Sequence, residues 1–132
     1  MSVFVDTGPW YASVVPTDPS HASVLAWLRQ NKQPLITSDY VIDETLTLLR
    51  SRGEKARAVA LGRRLLDLSD VTIHFLEEPL VRRAWTLFRD NPERGWSFTD
   101  CTSKVLMERL HVKQVLTFDS HFSEFGGLQI FP

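Results

Sequence analysis

Val3-Phe4-Val5-Asp6-Thr7-Gly8-Pro9, and its counterpart Gln114-Val115-Leu116-Thr117-Phe118-Asp119, are the stretches whose reading decides the fold. In the first, a short β-branched and aromatic run stops at a cluster suited to a turn or a helix start, so it reads as a buried strand followed by an acid. In the second, a strand expected from Gln114 to Phe118 again ends on an acid, Asp119. Two strands of one parallel sheet, each followed at once by a carboxylate, place both carboxylates on the same edge of that sheet.

The chain between them alternates in the way such a sheet requires. After the turn Pro16-Thr17-Asp18-Pro19, Ser20 is placed to cap a helix carrying Val24, Leu25, Trp27 and Leu28 at helical spacing. Leu35-Ile36-Thr37 is a second strand, and Ser38 or Asp39 is placed to cap a helix over Tyr40–Ser51 that Gly53 ends. A helix over Glu54–Leu68 carries Ala58, Leu61, Leu65 and Leu68, and it hands over at Ser69-Asp70 to a strand over Val71–Leu76. Pro79 starts a helix with Val81, Trp85 and Phe88 as its apolar stripe, broken at Asn91-Pro92 and Gly95. A helix over Phe98–Leu110, the strand at Gln114, a helical turn at His121-Phe122 and the apolar run Leu128–Phe131 follow. Parallel neighbours need a crossover, and the crossover is usually a helix. The expectation is an α/β protein: a three-layer α/β/α sandwich around a mainly parallel sheet of four to five strands, in one domain over residues 1–132. In such sheets ligands bind beyond the C-terminal strand ends, where the strand order reverses.

Composition narrows the function classes. With 43% hydrophobic and 23% charged residues the 132-residue chain has no case for disorder and enough apolar content for a core without disulfides. No apolar stretch is long enough to span a bilayer, and Met1–Val5 run into Asp6 without the features of a secretory signal, so a cytoplasmic setting is expected. Cys101 stands alone and reads as packing. A net charge of −1 removes any global electrostatic argument for nucleic acid, although Arg50, Arg52 and Arg94 are candidate phosphate contacts within a basic middle section.

Helical geometry sharpens the acidic set. At about 100° per residue, Val41, Ile42, Thr45, Leu46, Leu48 and Leu49 form one broad apolar arc with Glu44 at its border, whereas Asp43 falls beside Thr47 and Arg50. Glu44 is therefore the inward acid. Asp100 likewise borders the buried face of its helix. Each acid has a local explanation: N-capping for Asp6 and Asp119, a capping box with Ser97 for Asp100, and a border position for Glu44. Capping does not explain convergence. Carboxylates crowded at one edge raise one another's pKa values unless a cation neutralises them, and Mg²⁺ suits hard oxygen ligands. A Mg²⁺ ion there would activate a water against a phosphodiester, with the hydroxyls of Thr7, Ser97 and Thr99 able to support ligands or water. The four histidines, His21, His74, His111 and His121, share no ligand spacing and are given no metal role.

Val5-Asp6-Thr7, Asp43-Glu44, Ser97-Phe98-Thr99-Asp100-Cys101 and Leu116-Thr117-Phe118-Asp119-Ser120-His121-Phe122 together resemble the PIN domains, in particular the VapC-type toxins of toxin–antitoxin pairs. The resemblance spans nearly the whole chain. It implies endonucleolytic cleavage of RNA, dependence on Mg²⁺ or Mn²⁺, a homodimer, and a small cognate antitoxin that inserts near the acidic cleft. Carried over position by position, the family's catalytic and metal-holding acids fall on Asp6, Glu44, Asp100 and Asp119.

Four rivals are weighed against it. A haloacid-dehalogenase-like phosphotransferase also carries an acid after its first strand but wants a second acid two residues on, where this chain has Gly8. A receiver-like phosphoacceptor wants an acidic pair that is absent. A non-catalytic RNA- or protein-binding domain, with the acids as caps, is left to experiment, as is a housekeeping RNA-processing nuclease with the same site.

Overall fold

The computed structural model describes residues 1–68 and 70–132. Its elements run β1 (Val3–Val5), α1 (Thr7–Val14), α2 (His21–Gln30), β2 (Leu35–Ser38), α3 (Asp39–Ser51), α4 (Lys55–Leu66), β3 (Thr72–His74), α5 (Glu78–Asp90), a 3₁₀ turn (Pro92–Arg94), α6 (Phe98–Leu110), β4 (Gln114–Leu116), α7 (His121–Glu124) and β5 (Gln129–Phe131). All five strands form one sheet in the order β3-β2-β1-β4-β5, and every pairing is parallel. The α/β class and the strand count agree with the sequence reading.

β1 is central because it is apolar on both faces. Val3, Phe4 and Val5 are at most 1% exposed, as a strand covered from two sides must be. The connections β1 to β2 and β2 to β3 step outward in one direction, and β3 to β4 steps back across the sheet. Right-handed crossovers therefore send α1 to α4 and α5 to α6 to opposite faces. α3 and α6 also touch directly, which brings their first turns toward a common edge.

Several boundaries differ from the sequence reading. β4 stops at Leu116 rather than Phe118, because only Thr117 continues its backbone pairing, through its N–H to the Phe131 carbonyl (3.1 Å). β3 covers Thr72–His74 only, and the Leu76 N–H is taken by the Asp39 carboxylate (3.0 Å) instead of a strand. Ser69, half of the handover expected before β3, lies outside the described residues. Ser20 stands at the N-cap of α2 without a side-chain cap bond. On α5 the buried positions are Leu80 and Ala84, whereas Trp85 and Phe88 are exposed and stack on each other. Trp85 lies about 100° around the helix from Ala84, whereas Phe88, one turn beyond Ala84, stays near that face and packs edge-on against Phe98 at the start of α6. Among the described residues no helix is long and apolar enough to cross a membrane.

Candidate active site

The strand order reverses at β1, with β2 on one side and β4 on the other. Beyond the C-terminal ends of β1 and β4 lies a cleft of about 440 Å³, the position at which open α/β sheets bind ligands. Asp6, Glu44, Asp100 and Asp119 all line it, together with Thr7, Gly8, Leu48, Gly95, Ser97, Phe118 and His121. Four elements far apart in sequence thus deliver one acid each.

Asp6 occupies the N-cap position of α1, yet its side chain makes no cap bond. It accepts instead from the Thr117 hydroxyl (2.8 Å), across the gap between β1 and β4. It is 6% exposed. Burial, helped by the nearby charges of Asp100 and Glu44, pushes its pKa from 3.8 up to about 7, against the lowering effect of hydrogen bonds from the Thr7 backbone and the Thr117 hydroxyl. Capping therefore does not account for this residue. Glu44, half-buried on α3, accepts from the Thr7 hydroxyl (2.6 Å), whereas Asp43 is exposed, as the helical arc predicts. The helix that carries it is started by Ser38, whose hydroxyl accepts from the Val41 N–H (3.1 Å).

Asp100 does form a capping box: its N–H donates to Ser97 Oγ (2.9 Å), and its Oδ2 accepts from the Ser97 N–H (3.0 Å). The cap fixes the carboxylate in the first turn of α6 and leaves it beside the other acids. Burial raises its pKa, Asp119 adds to that, and the Ser97 and His121 hydrogen bonds oppose it. Asp119 closes a local turn by accepting from the His121 N–H (2.9 Å), and its own N–H donates to Thr117 Oγ1 (3.0 Å).

Two side chains outside the acidic set organise it. The Thr117 hydroxyl donates to Asp6 and accepts from the Asp119 backbone, so one buried group ties the two strand-end acids together. His121 Nδ1 lies 3.1 Å from Asp100 Oδ2 and 3.2 Å from Asp119 Oδ1. Hydrogen bonding to Asp100, with the charges of both carboxylates and Glu124, raises its pKa above 6.5. The sequence reading assigned His121 no such place. The available signal was its position two residues after a strand-end acid, where a turn folds its side chain back onto that acid. Asp100, Asp119 and His121 each offer a ligand atom within 4.8 Å of the others, an arrangement that could hold a metal ion.

Other sequence candidates divide. Thr7 and Ser97 line the cleft, while Thr99 does not. Arg94 flanks it through its neighbour Gly95, with its guanidinium 3.4 Å from Glu124 and over the Trp96 ring. Arg50 borders a separate groove between α3 and α4, and Arg52 sits over the Tyr11 ring. Both lie at the C-terminal end of α3, where Leu48 is the last residue of the helix to line the cleft, so Arg52 stands roughly 6 Å, about one helical turn, beyond that lining. Cys101 is fully buried, and its thiol is pushed up to about 11 by burial, which makes it packing and not a nucleophile.

Comparison with known proteins agrees with this arrangement. Residues 3–128 match the PIN domain family. A protein of Mycobacterium tuberculosis named 23S rRNA-specific endonuclease VapC20 is 30% identical over 131 residues, covering 98% of both chains. A VapC ribonuclease of Archaeoglobus fulgidus is 28% identical over 128 residues, covering 93% of this chain and 80% of its own. The crystal structure of VapC20, described as a Sarcin-Ricin loop cleaving toxin, superposes with a TM-score of 0.90 at 29% identity over 98% of this chain and 99% of that one. With the acids of four separate elements gathered at the strand reversal, and with sequence and fold alike matched along almost the entire length, this chain belongs to the PIN domain family.

Proposed function

We propose that the protein is a divalent-metal-dependent endoribonuclease that acts as the toxin of a toxin–antitoxin pair in the cytoplasm. The observation that carries this reading is the convergence of Asp6, Glu44, Asp100 and Asp119 in one cleft, with the pKa values of Asp6 and Asp100 raised by burial and by neighbouring carboxylates. A protein does not gather buried carboxylates without compensation unless a cation replaces the missing charge. The donor set fits Mg²⁺, or Mn²⁺ in its place: hard oxygen ligands in a half-open cleft that leaves room for water. Asp100 and Asp119, each offering a carboxylate oxygen within 4.8 Å of the other, would hold the ion together with Asp6 and Glu44. When bound, the ion supplies Lewis-acid stabilisation of the phosphodiester and acidifies a water for attack on phosphorus.

The protein's own groups prepare that chemistry. Thr7 fixes Glu44, Thr117 fixes Asp6 and the Asp119 turn, and Ser97 fixes Asp100, so none of the four carboxylates has to be ordered when substrate arrives. His121 Nδ1 lies within hydrogen-bond reach of both Asp100 and Asp119, so a bound ion would compete with it for those two carboxylates. Arg94 is the proposed phosphate contact at the rim, and Arg50 and Arg52 serve more distant backbone contacts. RNA is the substrate class, and because the relative VapC20 is named for 23S rRNA, that RNA is the first to test. A homodimer and inhibition by a small cognate antitoxin complete the reading.

The test is incubation of purified protein with 23S rRNA and with short single-stranded RNA in Mg²⁺, Mn²⁺ or EDTA, beside Asp100→Asn. Cleavage that needs the metal and disappears in the variant supports the reading. Absence of cleavage of every RNA in either metal overturns it.

A further inference from the structure

We infer that Phe118 is a stacking platform that holds a nucleobase of the substrate beside the scissile phosphodiester, and so sets where on an RNA strand the cleft engages. This rests on the endoribonuclease reading above. Phe118 is 44% exposed, and it lines the acidic cleft itself. Among the described residues that line the cleft it is the one hydrocarbon ring. The carboxylates can act on a phosphodiester through a metal, but they offer a base no surface on which to stack.

The ring is held in advance of binding. Thr117 and Phe118 leave the end of β4 on opposite sides, Thr117 inward to Asp6 and Phe118 outward into the cleft. The Thr117 hydroxyl also accepts from the Asp119 N–H, so the backbone on both sides of Phe118 is pinned. Gly8, at the start of α1, lies under the ring: a Cβ built there would meet Phe118 Cδ2 at 3.4 Å and Cβ at 3.7 Å. Backbone therefore packs against one edge of the side chain, and nearly half of the residue remains exposed. A planar, rigid, solvent-facing ring next to a phosphodiester-cleaving centre matches the device by which proteins bind unpaired bases, where each stack is sequence-tolerant because every base has a π-face. Burying the ring against a base also removes apolar surface from water that the free protein leaves exposed.

The experiment pairs a change in the protein with a change in the RNA. Wild type, Phe118→Ala and Phe118→Trp are compared on a short RNA that wild type cuts, and on versions in which one nucleotide flanking the cut is replaced by an abasic ribose. On the intact RNA, Phe118→Ala is expected to lose roughly 5- to 150-fold in kcat/KM, the range of one base–aromatic stack, and Phe118→Trp to retain most of it. At one flanking position the abasic RNA costs wild type the same factor and costs Phe118→Ala nothing further. A second readout needs no cleavage: with Ca²⁺ in place of Mg²⁺, an RNA carrying a fluorescent purine analogue at that position is quenched by wild type and not by Phe118→Ala. Equal losses for Phe118→Ala on intact and all abasic RNAs, or equal quenching by both proteins, overturn the inference. Cleavage of the intact RNA by Phe118→Ala at the wild-type kcat/KM overturns the platform and leaves the nuclease reading standing.

Discussion

Replacing Asp6 by Asn should make the metal-free protein more stable at neutral and alkaline pH, although it destroys the proposed metal site. Asp6 is buried at the end of β1, and its pKa stands near 7 instead of 3.8. Between those values the unfolded chain has released this proton and the native state has kept it. Native stability therefore falls as pH rises through that window, by about 1.4 kcal/mol per pH unit, and levels off above about 7. Three units of pH carry on the order of 4 kcal/mol, a large share of the stability of a chain this size. Asn has no such proton and keeps an oxygen for the Thr117 hydroxyl. Asp100 and His121, both raised as well, make the wild-type curve fall in the same direction, so the difference between the two proteins isolates Asp6. The assay is thermal unfolding in EDTA from pH 5 to pH 9. Each kcal/mol moves Tm by about 3–5 °C for a domain of this length. The variant's advantage should grow between pH 5 and 7 and then hold constant, and saturating Mg²⁺ should shrink or reverse it by stabilising wild type alone. Parallel curves for the two proteins across that range would refute the account of Asp6 as a buried, uncompensated acid.

Four further outcomes follow from the same site and its support. Asp119→Asn should lower cleavage on the order of 100-fold or more while leaving far-UV circular dichroism unchanged, and full activity would remove Asp119 from the chemistry. Thr117→Val takes the hydroxyl from Asp6 and from the Asp119 turn; it should cost about 1–3 kcal/mol in urea unfolding and push the Asp6 pKa higher still, which moves the acid limb of a pH–rate profile upward. His121→Ala should reduce metal-free stability at pH 6 but not at pH 9, because a histidine with a raised pKa contributes its stability below the unfolded value and loses it as pH passes the folded one; equal effects at both pH values would contradict the carboxylate contacts. Arg94→Ala should weaken RNA binding and lower the salt dependence by about one phosphate contact without changing metal affinity, as measured by titration at several salt concentrations.

The elements that a reader can find in the sequence are those whose signal is local. Val3–Val5 shows itself by composition and by the abrupt stop at Asp6, and α6 by Ser97 with Asp100 three residues on. Glu44 is separable from Asp43 because helical periodicity places one at the apolar border and the other in solvent. The role of Thr117 leaves no such trace. Its partner Asp6 is 111 residues away, and a hydrogen bond across a sheet has no periodic signature. His121 escapes for a related reason: its contact with Asp100 exists only once α6 and the turn after β4 meet. On α5 the exposed Trp85 and Phe88 mislead because size and hydrophobicity dominate a pattern in which tertiary packing has chosen Leu80 and Ala84.

The order of strands has a consequence for when the acidic cleft comes into being. β1 is synthesised first, yet half of its hydrogen bonding waits for β4, and Asp6 waits for Thr117 and Asp119 on the same late segment. A chain emerging from the ribosome therefore presents its first acid long before any partner exists. Pairing across so long a loop is slow to nucleate and comes late in folding. Through most of its synthesis the chain therefore holds no complete acidic cleft, which is finished only when β4 and the turn after it dock against β1.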